Sequence, residues 1–316
     1  MTERPKESSF FFRFILLQDR TTRTLLLSAL LILGMGSLRP QDVSGIYYKS
    51  FWSSKATWRG CCDVVIAGDS RVVIGLSPQQ MGQFLPGLRI LNFGFYANGY
   101  SLAYLEAIEQ TLDTLSPCKT IILGISPRSL TARSEKLNFF TVYSQQSNSD
   151  KFLVRYFDTL LRFTDPLSLS DVWHNLLPDE KQRYFRQCYF LDGWIASDKR
   201  PLRPDQKLDN YILEFKDNPV SEEIITKLLS FVKQWTQAGI YVYAFRPPSS
   251  KAMVELENKY AKFDQTDFVN SFQAAGGLWI DLDQNGYQSY DGSHLLSTEA
   301  LKLSEDIARF VKRKEE

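Results

Sequence analysis

The sequence predicts an α/β fold: a three-layer α/β/α sandwich with a mostly parallel five-stranded sheet, carrying a large insertion and an N-terminal apolar segment. Three observations carry that expectation. Short apolar, β-branched runs alternate with segments whose apolar residues recur at helical spacing. The runs stop at turns rich in glycine, asparagine or proline. The chain has 316 residues, 44% of them hydrophobic, enough for one large core.

The elements follow in chain order. Residues 63–67 read as a first strand that runs into Gly68-Asp69-Ser70, and "PQQMGQF" (78–84) suits a short helix. Residues 88–93 form a second strand and 120–125 a third. Between them "SLAYLEAIEQTLDTL" has helical spacing, with Ser101 as its cap. "SEEIITKLLSFVKQWTQAG" (221–239) combines a cap, early acids, a 3.6-residue stripe and a terminal glycine. Residues 240–245 make a fourth strand, stopped by Pro247 and Pro248. Residues 251–272 are largely helical, 278–282 form a fifth strand, and 297–313 form an amphipathic closing helix. The core thus falls into 61–130 and 221–316. The interval 131–220, rich in aromatics and prolines, is an insertion expected to be partly helical.

The N-terminus reads differently. "TLLLSALLILGMGSL" (24–38) runs 15 residues without a charge. Arg4, Lys6, Arg13, Arg20 and Arg23 precede it, and Arg39 and Lys49 follow. This asymmetry favours a single membrane anchor over 24–42, with 1–23 cytoplasmic, 43–60 a membrane-proximal linker and the remainder extracytoplasmic. A cleaved signal peptide and a buried helix are the alternatives.

With 37 basic and 36 acidic residues the formal net charge is +1, so nothing points to a nucleic-acid partner. Only two histidines accompany the four cysteines, and no Cys-x-x-Cys pair exists, so neither a metal nor another cofactor is expected. Cys62 and Cys118 stand eight residues before Ser70 and Ser126. If the strands that follow are parallel neighbours, a Cys62–Cys118 disulfide would join their starts; small buried residues there are the plain alternative.

Ligand sites of open α/β sheets lie beyond the carboxyl ends of the strands. "GDS" (68–70), "NFGFYANGYS" (92–101), "GISPRS" (124–129) and "YDGSHLLS" (290–297) all converge there. A serine hydroxyl needs a base, which His294 supplies if Asp291 fixes its tautomer. The N–H of Ser70 and one from the loop Gly94 to Gly99 are candidate donors to an oxyanion. The plain alternatives are a helix cap for Ser70, a loop residue for His294 and a turn former for Asp291. Arg71 and Arg128 either rim an anionic substrate or pair with carboxylates. His174, in the insertion, reads as structural or exposed.

"IAGDSR", "LNFGFYANG" and "DGSHL", in this order, resemble blocks one, two and five of the SGNH/GDSL hydrolase superfamily. The resemblance implies a serine esterase or O-acyltransferase with Ser70 as nucleophile, His294 as base and Asp291 as acid. With the N-terminal anchor, it is similar to extracytoplasmic proteins that move acyl groups on envelope polysaccharides. The implied partners are an acyl ester of a glycan or lipid, the membrane, and a membrane acyl donor. Three positions depart from the pattern. Ser126 stands where the third block has asparagine, leaving Asn98 as a substitute amide. Ala97 stands where block two has glycine, with Gly99 two residues on. Arg71 replaces a common leucine. The oxyanion set is therefore Ser70, Gly94, Asn98, Gly99 and Ser126. A second function class, a catalytically weak or inactive binding or assembly protein of the envelope, follows from the missing asparagine.

Overall fold

A computed structural model describes residues 20–37, 48–136, 138–157 and 184–315. The chain divides into two units, Met1–Gln41 with Tyr156–Glu180, and Asp42–Arg155 with Lys181–Glu316. In the first, Arg20–Ser37 is an 18-residue helix with Leu25, Leu27 and Leu30 exposed. No helix among the described residues is long and apolar enough to cross a membrane, so the expected transmembrane anchor over 24–42 is not supported. The uncharged run explains this: at 1.5 Å per residue it reaches about 22 Å, short of a hydrocarbon core of about 30 Å. Arg20 and Arg23 begin the helix, and 38–42 lie outside the described residues.

The second unit is built on a parallel sheet. Its strands are β1 (Val64–Ala67), β2 (Ile90–Asn92), β3 (Thr120–Gly124), then, beyond a hairpin of β4 (Tyr184–Tyr189) and β5 (Ile195–Arg200), β6 (Tyr241–Phe245) and β7 (Leu278–Ile280). The order is β2-β1-β3-β6-β7, with Val64 opposite Ile90 and Thr120, Thr120 opposite Tyr241, and Tyr243 opposite Leu278. Every pairing in this sheet is parallel, as an alternation of strands and helices requires.

Strand side chains alternate between two separate cores, so both faces of the sheet are covered. Val65, Ala67, Ile121, Leu123, Val242 and Ala244 pack with Leu105, Ile108, Leu228, Val232 and Phe272. These come from helices Leu102–Thr111, Glu222–Gln237 and Gln265–Ala274. Val64, Ile66, Ile122, Tyr243 and Phe245 face the other way, onto Val72, Met81, Leu303, Ile307 and Val311. Those belong to helices Ser70–Gly75, Pro78–Gly82 and Ser297–Glu315.

Four sequence readings change or gain detail. The segment read as a linker forms the helix Tyr48–Lys55, because Phe51 and Trp52 bury in an aromatic cluster with Phe95, Tyr96 and Phe139. Lys55 is buried there too: its Nζ donates to the Gly193 carbonyl at 2.8 Å beside the rings of Phe51, Trp52 and Phe95. Burial pushes its ammonium well below the ordinary lysine range, against the attraction of Asp192. The helical stretch after the fourth strand is two helices, Lys251–Tyr260 and Gln265–Ala274, separated at Lys262, whose φ is 55°. The insertion contains the antiparallel hairpin β4–β5 as well as helices, among them Leu208–Phe215. Finally, all four cysteines are free, so Cys62 and Cys118 form no disulfide. β1 and β3 are parallel neighbours, but Cys62 pairs with Leu112 and points its Sγ at the Thr111 carbonyl at 3.4 Å, while Cys118 is exposed. His174 lies outside the described residues.

Candidate active site

The carboxyl end of β1 turns sharply into the helix Ser70–Gly75. Gly68 makes the turn at φ 155°; a Cβ there would collide with Val72 and lie 3.0 Å from the Gly124 carbonyl oxygen. Asp69, not Ser70, is the N-cap, and its Oδ1 accepts from the N–H of Arg71 at 2.9 Å. Ser70 opens the helix, where no preceding turn offers a carbonyl to its N–H. Its hydroxyl is thus free of the capping role that a serine after a strand often fills.

The second part of the site is a tight loop between β7 and the closing helix. The N–H of Tyr290 donates to the His294 carbonyl at 2.9 Å, which closes the loop. Asp291 Oδ1 accepts from the N–H groups of Ser293 (3.0 Å) and His294 (2.9 Å). Gly292 has φ 92°, and a Cβ on it would run into the Pro204 carbonyl, so the insertion packs directly on this loop. Two backbone bonds stitch the same junction, Arg203 N–H to Tyr290 O and Lys207 N–H to Asp291 O, and Ser250 N–H to Gly292 O ties the loop to the core.

These two turns place Ser70, His294 and Asp291 in line. His294 Nε2 is 2.9 Å from Ser70 Oγ and Nδ1 is 2.9 Å from Asp291 Oδ2, across 224 residues of sequence. Burial opposes the charge on Asp291, but the imidazole and the N–H groups of His294 and Ser293 outweigh it and hold the carboxyl down at about 2. An ionised Asp291 only accepts, so the hydrogen sits on Nδ1 and Nε2 is left to accept the Ser70 proton. Tyr290 stacks on the imidazole at a ring distance of 5.8 Å, and its hydroxyl meets Ser197 Oγ of β5 at 3.0 Å.

The three residues open onto a cleft of about 590 Å³. One wall is Tyr96 and Ala97, from the turn after β2; another is Phe185, Gln187 and Lys199 of the hairpin. The helix Leu208–Phe215 and the residue before it contribute Lys207, Asn210 and Tyr211.

The remaining expected oxyanion residues lie elsewhere. Ser126 is fully buried and its hydroxyl donates to Asp69 Oδ2 at 2.6 Å, so the acid before the nucleophile consumes it. Gly94 gives its N–H to Asn92 Oδ1 at 2.9 Å. A Cβ on Gly99 would meet Ser134 and Glu135, which places it against the insertion and not the cleft. Asn98 is buried and off the cleft wall. Ala97 was not in the expected set, yet it is the member of that loop on the cleft, and its φ of 54° is the glycine-like conformation. The sequence signal was its place five residues after Asn92, where the resemblance has glycine. Arg71 is not on a rim, since its Nη2 bonds Glu257 at 2.6 Å in the interior, whereas Arg128 lines the cleft, 3.7 Å from Glu214. Among the described residues no group of histidine, cysteine or acidic side chains is arranged to hold a metal.

Among known proteins, no family model and no curated sequence matches the chain. Among solved structures it is similar to a candidate platelet activating factor from Streptococcus pneumonia, at 11% identity and a TM-score of 0.37 over 93% of this chain and all of that one. A likeness of that degree assigns neither family nor activity.

Proposed function

We propose that the chain is a serine ester hydrolase or O-acyltransferase, as the SGNH/GDSL resemblance of its motifs implies. The observation that carries the reading is the aligned relay Asp291–His294–Ser70 opening onto a cleft. Ser70 Oγ attacks the ester carbonyl and its proton passes to His294 Nε2. The tetrahedral intermediate collapses, the carbon–oxygen bond to the alcohol breaks, and His294 returns the proton to the leaving alcohol. Water or an acceptor hydroxyl then attacks the acyl-Ser70 and gives its proton to His294; the bond from the acyl carbon to Ser70 Oγ breaks, and His294 returns the proton to Ser70. The N–H groups of Ser70 and Ala97 are the donors best placed for the oxyanion. The substrates in this reading are acylated glycans or lipids outside the cytoplasmic membrane, with a membrane acyl-donor partner in the transferase mode.

Labelling by an activated fluorophosphonate tests the reading. The native protein labels at Ser70, and Ser70→Ala abolishes both labelling and ester turnover, a loss of at least about 10³-fold. Full ester turnover by folded Ser70→Ala would refute the mechanism. A second reading, a binding or assembly protein of the envelope with little turnover, is favoured by one observation. Ser126 is spent on Asp69, so its hydroxyl does not stand in for the block-three asparagine. Absence of labelling in folded native protein would select that reading.

A further inference from the structure

Behind the relay lies a buried polar chain that the acyl-transfer steps do not use. Arg71 Nε donates to Ser293 Oγ at 3.0 Å, and Ser293 Oγ lies 2.8 Å from the hydroxyl of Tyr211. The Arg71 guanidinium also sits 5.3 Å from the centre of the Tyr211 ring. Its Nη2 is neutralised by Glu257, which in turn bonds Arg246 at 2.9 Å. Ser293 is fully buried, and Tyr211 is on the wall of the cleft.

The direction of the hydrogens follows from what each group can do. Guanidinium Nε donates and never accepts, so Ser293 Oγ is an acceptor in the first bond. Ser293 then has one hydrogen to place in the protein interior, and among the described residues Tyr211 is the other polar partner of its oxygen. Ser293 therefore donates to Tyr211. The phenol oxygen accepts, and its own hydrogen has no protein acceptor among the described residues. Tyr211 is on the cleft wall, so a ligand in the cleft is the acceptor we assign to that hydrogen.

We propose that Tyr211 donates a hydrogen bond to an oxygen of the substrate's alcohol moiety, its direction set by Arg71 through Ser293. Resting on the serine-ester reading, this names the substrate class as an ester of an oxygen-rich alcohol, a sugar or other polyol. The acyl side is served by the N–H groups of Ser70 and Ala97. Lys207, Asn210, Gln187 and Lys199 line the same cleft and offer partners for hydroxyl groups, beside the apolar Ile74, Phe185 and Leu213. Tyr211 is the group that touches substrate; Arg71 and Ser293 are positioning residues.

The experiment compares two acetyl esters, an O-acetylated methyl glycoside and phenyl acetate, whose alcohol has no further oxygen. Tyr211→Phe keeps the ring and lowers kcat/KM about tenfold on the glycoside, and less than about threefold on phenyl acetate. Ser293→Ala produces the same substrate-selective loss with rates of Ser70 labelling close to native. The double variant loses no more than Tyr211→Phe alone, because both substitutions remove one directed donor. Thermal melts confirm that each variant is folded. Equal losses on the two esters, no loss on either, or additive losses in the double variant would each overturn the inference while leaving the serine-ester reading intact. A native protein that neither labels nor hydrolyses either ester overturns both.

Discussion

At the scale of the residue, two positions show how surroundings decide chemistry. Asp291 has its carboxyl held down at about 2 although burial alone would raise it, so its partners must stabilise the ionised form in the folded state. An unfolded aspartate titrates near 3.9, roughly two units higher. The contribution of Asp291 is therefore complete above about pH 4 and disappears as pH falls through about 2. The thermal midpoint should drop through that window, and the drop should be shallower in Asp291→Asn; equal pH slopes for the two proteins would contradict the assignment. Ala97 is held at φ 54°, a conformation that costs a residue with a Cβ about 1 kcal/mol. Ala97→Gly removes that strain and keeps the N–H, so it should label with fluorophosphonate within about threefold of native. Ala97→Val, β-branched and ill-suited to positive φ, should label much more slowly.

At the scale of the element, the insertion does more than cover the core. Asp198 on β5 accepts from the N–H of Ser297 at 3.1 Å and from its hydroxyl at 2.7 Å, which ties the hairpin to the start of the closing helix. Asp198→Ala removes an acidic partner from a helix N-terminus and should cost about 1–2 kcal/mol. Denaturant titration measures that cost; a change under about 0.3 kcal/mol would show the bond to be dispensable. Much of this scale was legible beforehand. All five parallel strands fall inside the runs read from β-branched periodicity, the helices at 102–111 and 222–237 fall inside their amphipathic stripes, and the closing helix, 297–315, runs two residues past its own. Local pattern failed where a long-range contact decided the outcome. Tyr48–Lys55 folds as a helix because Trp52 finds Phe95 and Phe139. The largely helical stretch 251–272 divides into two helices at Lys262, a point that no glycine or proline marks.

At the scale of the whole molecule, the candidate site depends on segments that meet only in the folded chain. Glu257 stands between Arg71 and Arg246, all three essentially withdrawn from water. Glu257→Gln removes the carboxylate that bonds both buried guanidinium groups and turns an amide donor toward one of them. The expected loss is about 3–5 kcal/mol, read by urea unfolding. Replacing Arg71, Glu257 and Arg246 together by Leu, Met and Met should cost far less, since no buried charge is then left unpaired. A triple variant as unstable as Glu257→Gln would show that the salt bridges themselves stabilise the fold.

The sequence by itself determined the parallel sheet and the two turns at its carboxyl edge, with Ser70 in one and Asp291 and His294 in the other. Periodicity, glycine and capping residues act over a few positions and are written locally. The tertiary structure alone decided which neighbours of the relay are free to act. It turned Ser126 onto Asp69, sent Arg71 inward to Glu257 and Ser293, and brought Ala97 and Tyr211 to the cleft. Those outcomes depend on which buried donor finds which acceptor, a matching settled only when segments as far apart as Arg71 and Ser293, 222 residues, close over one another.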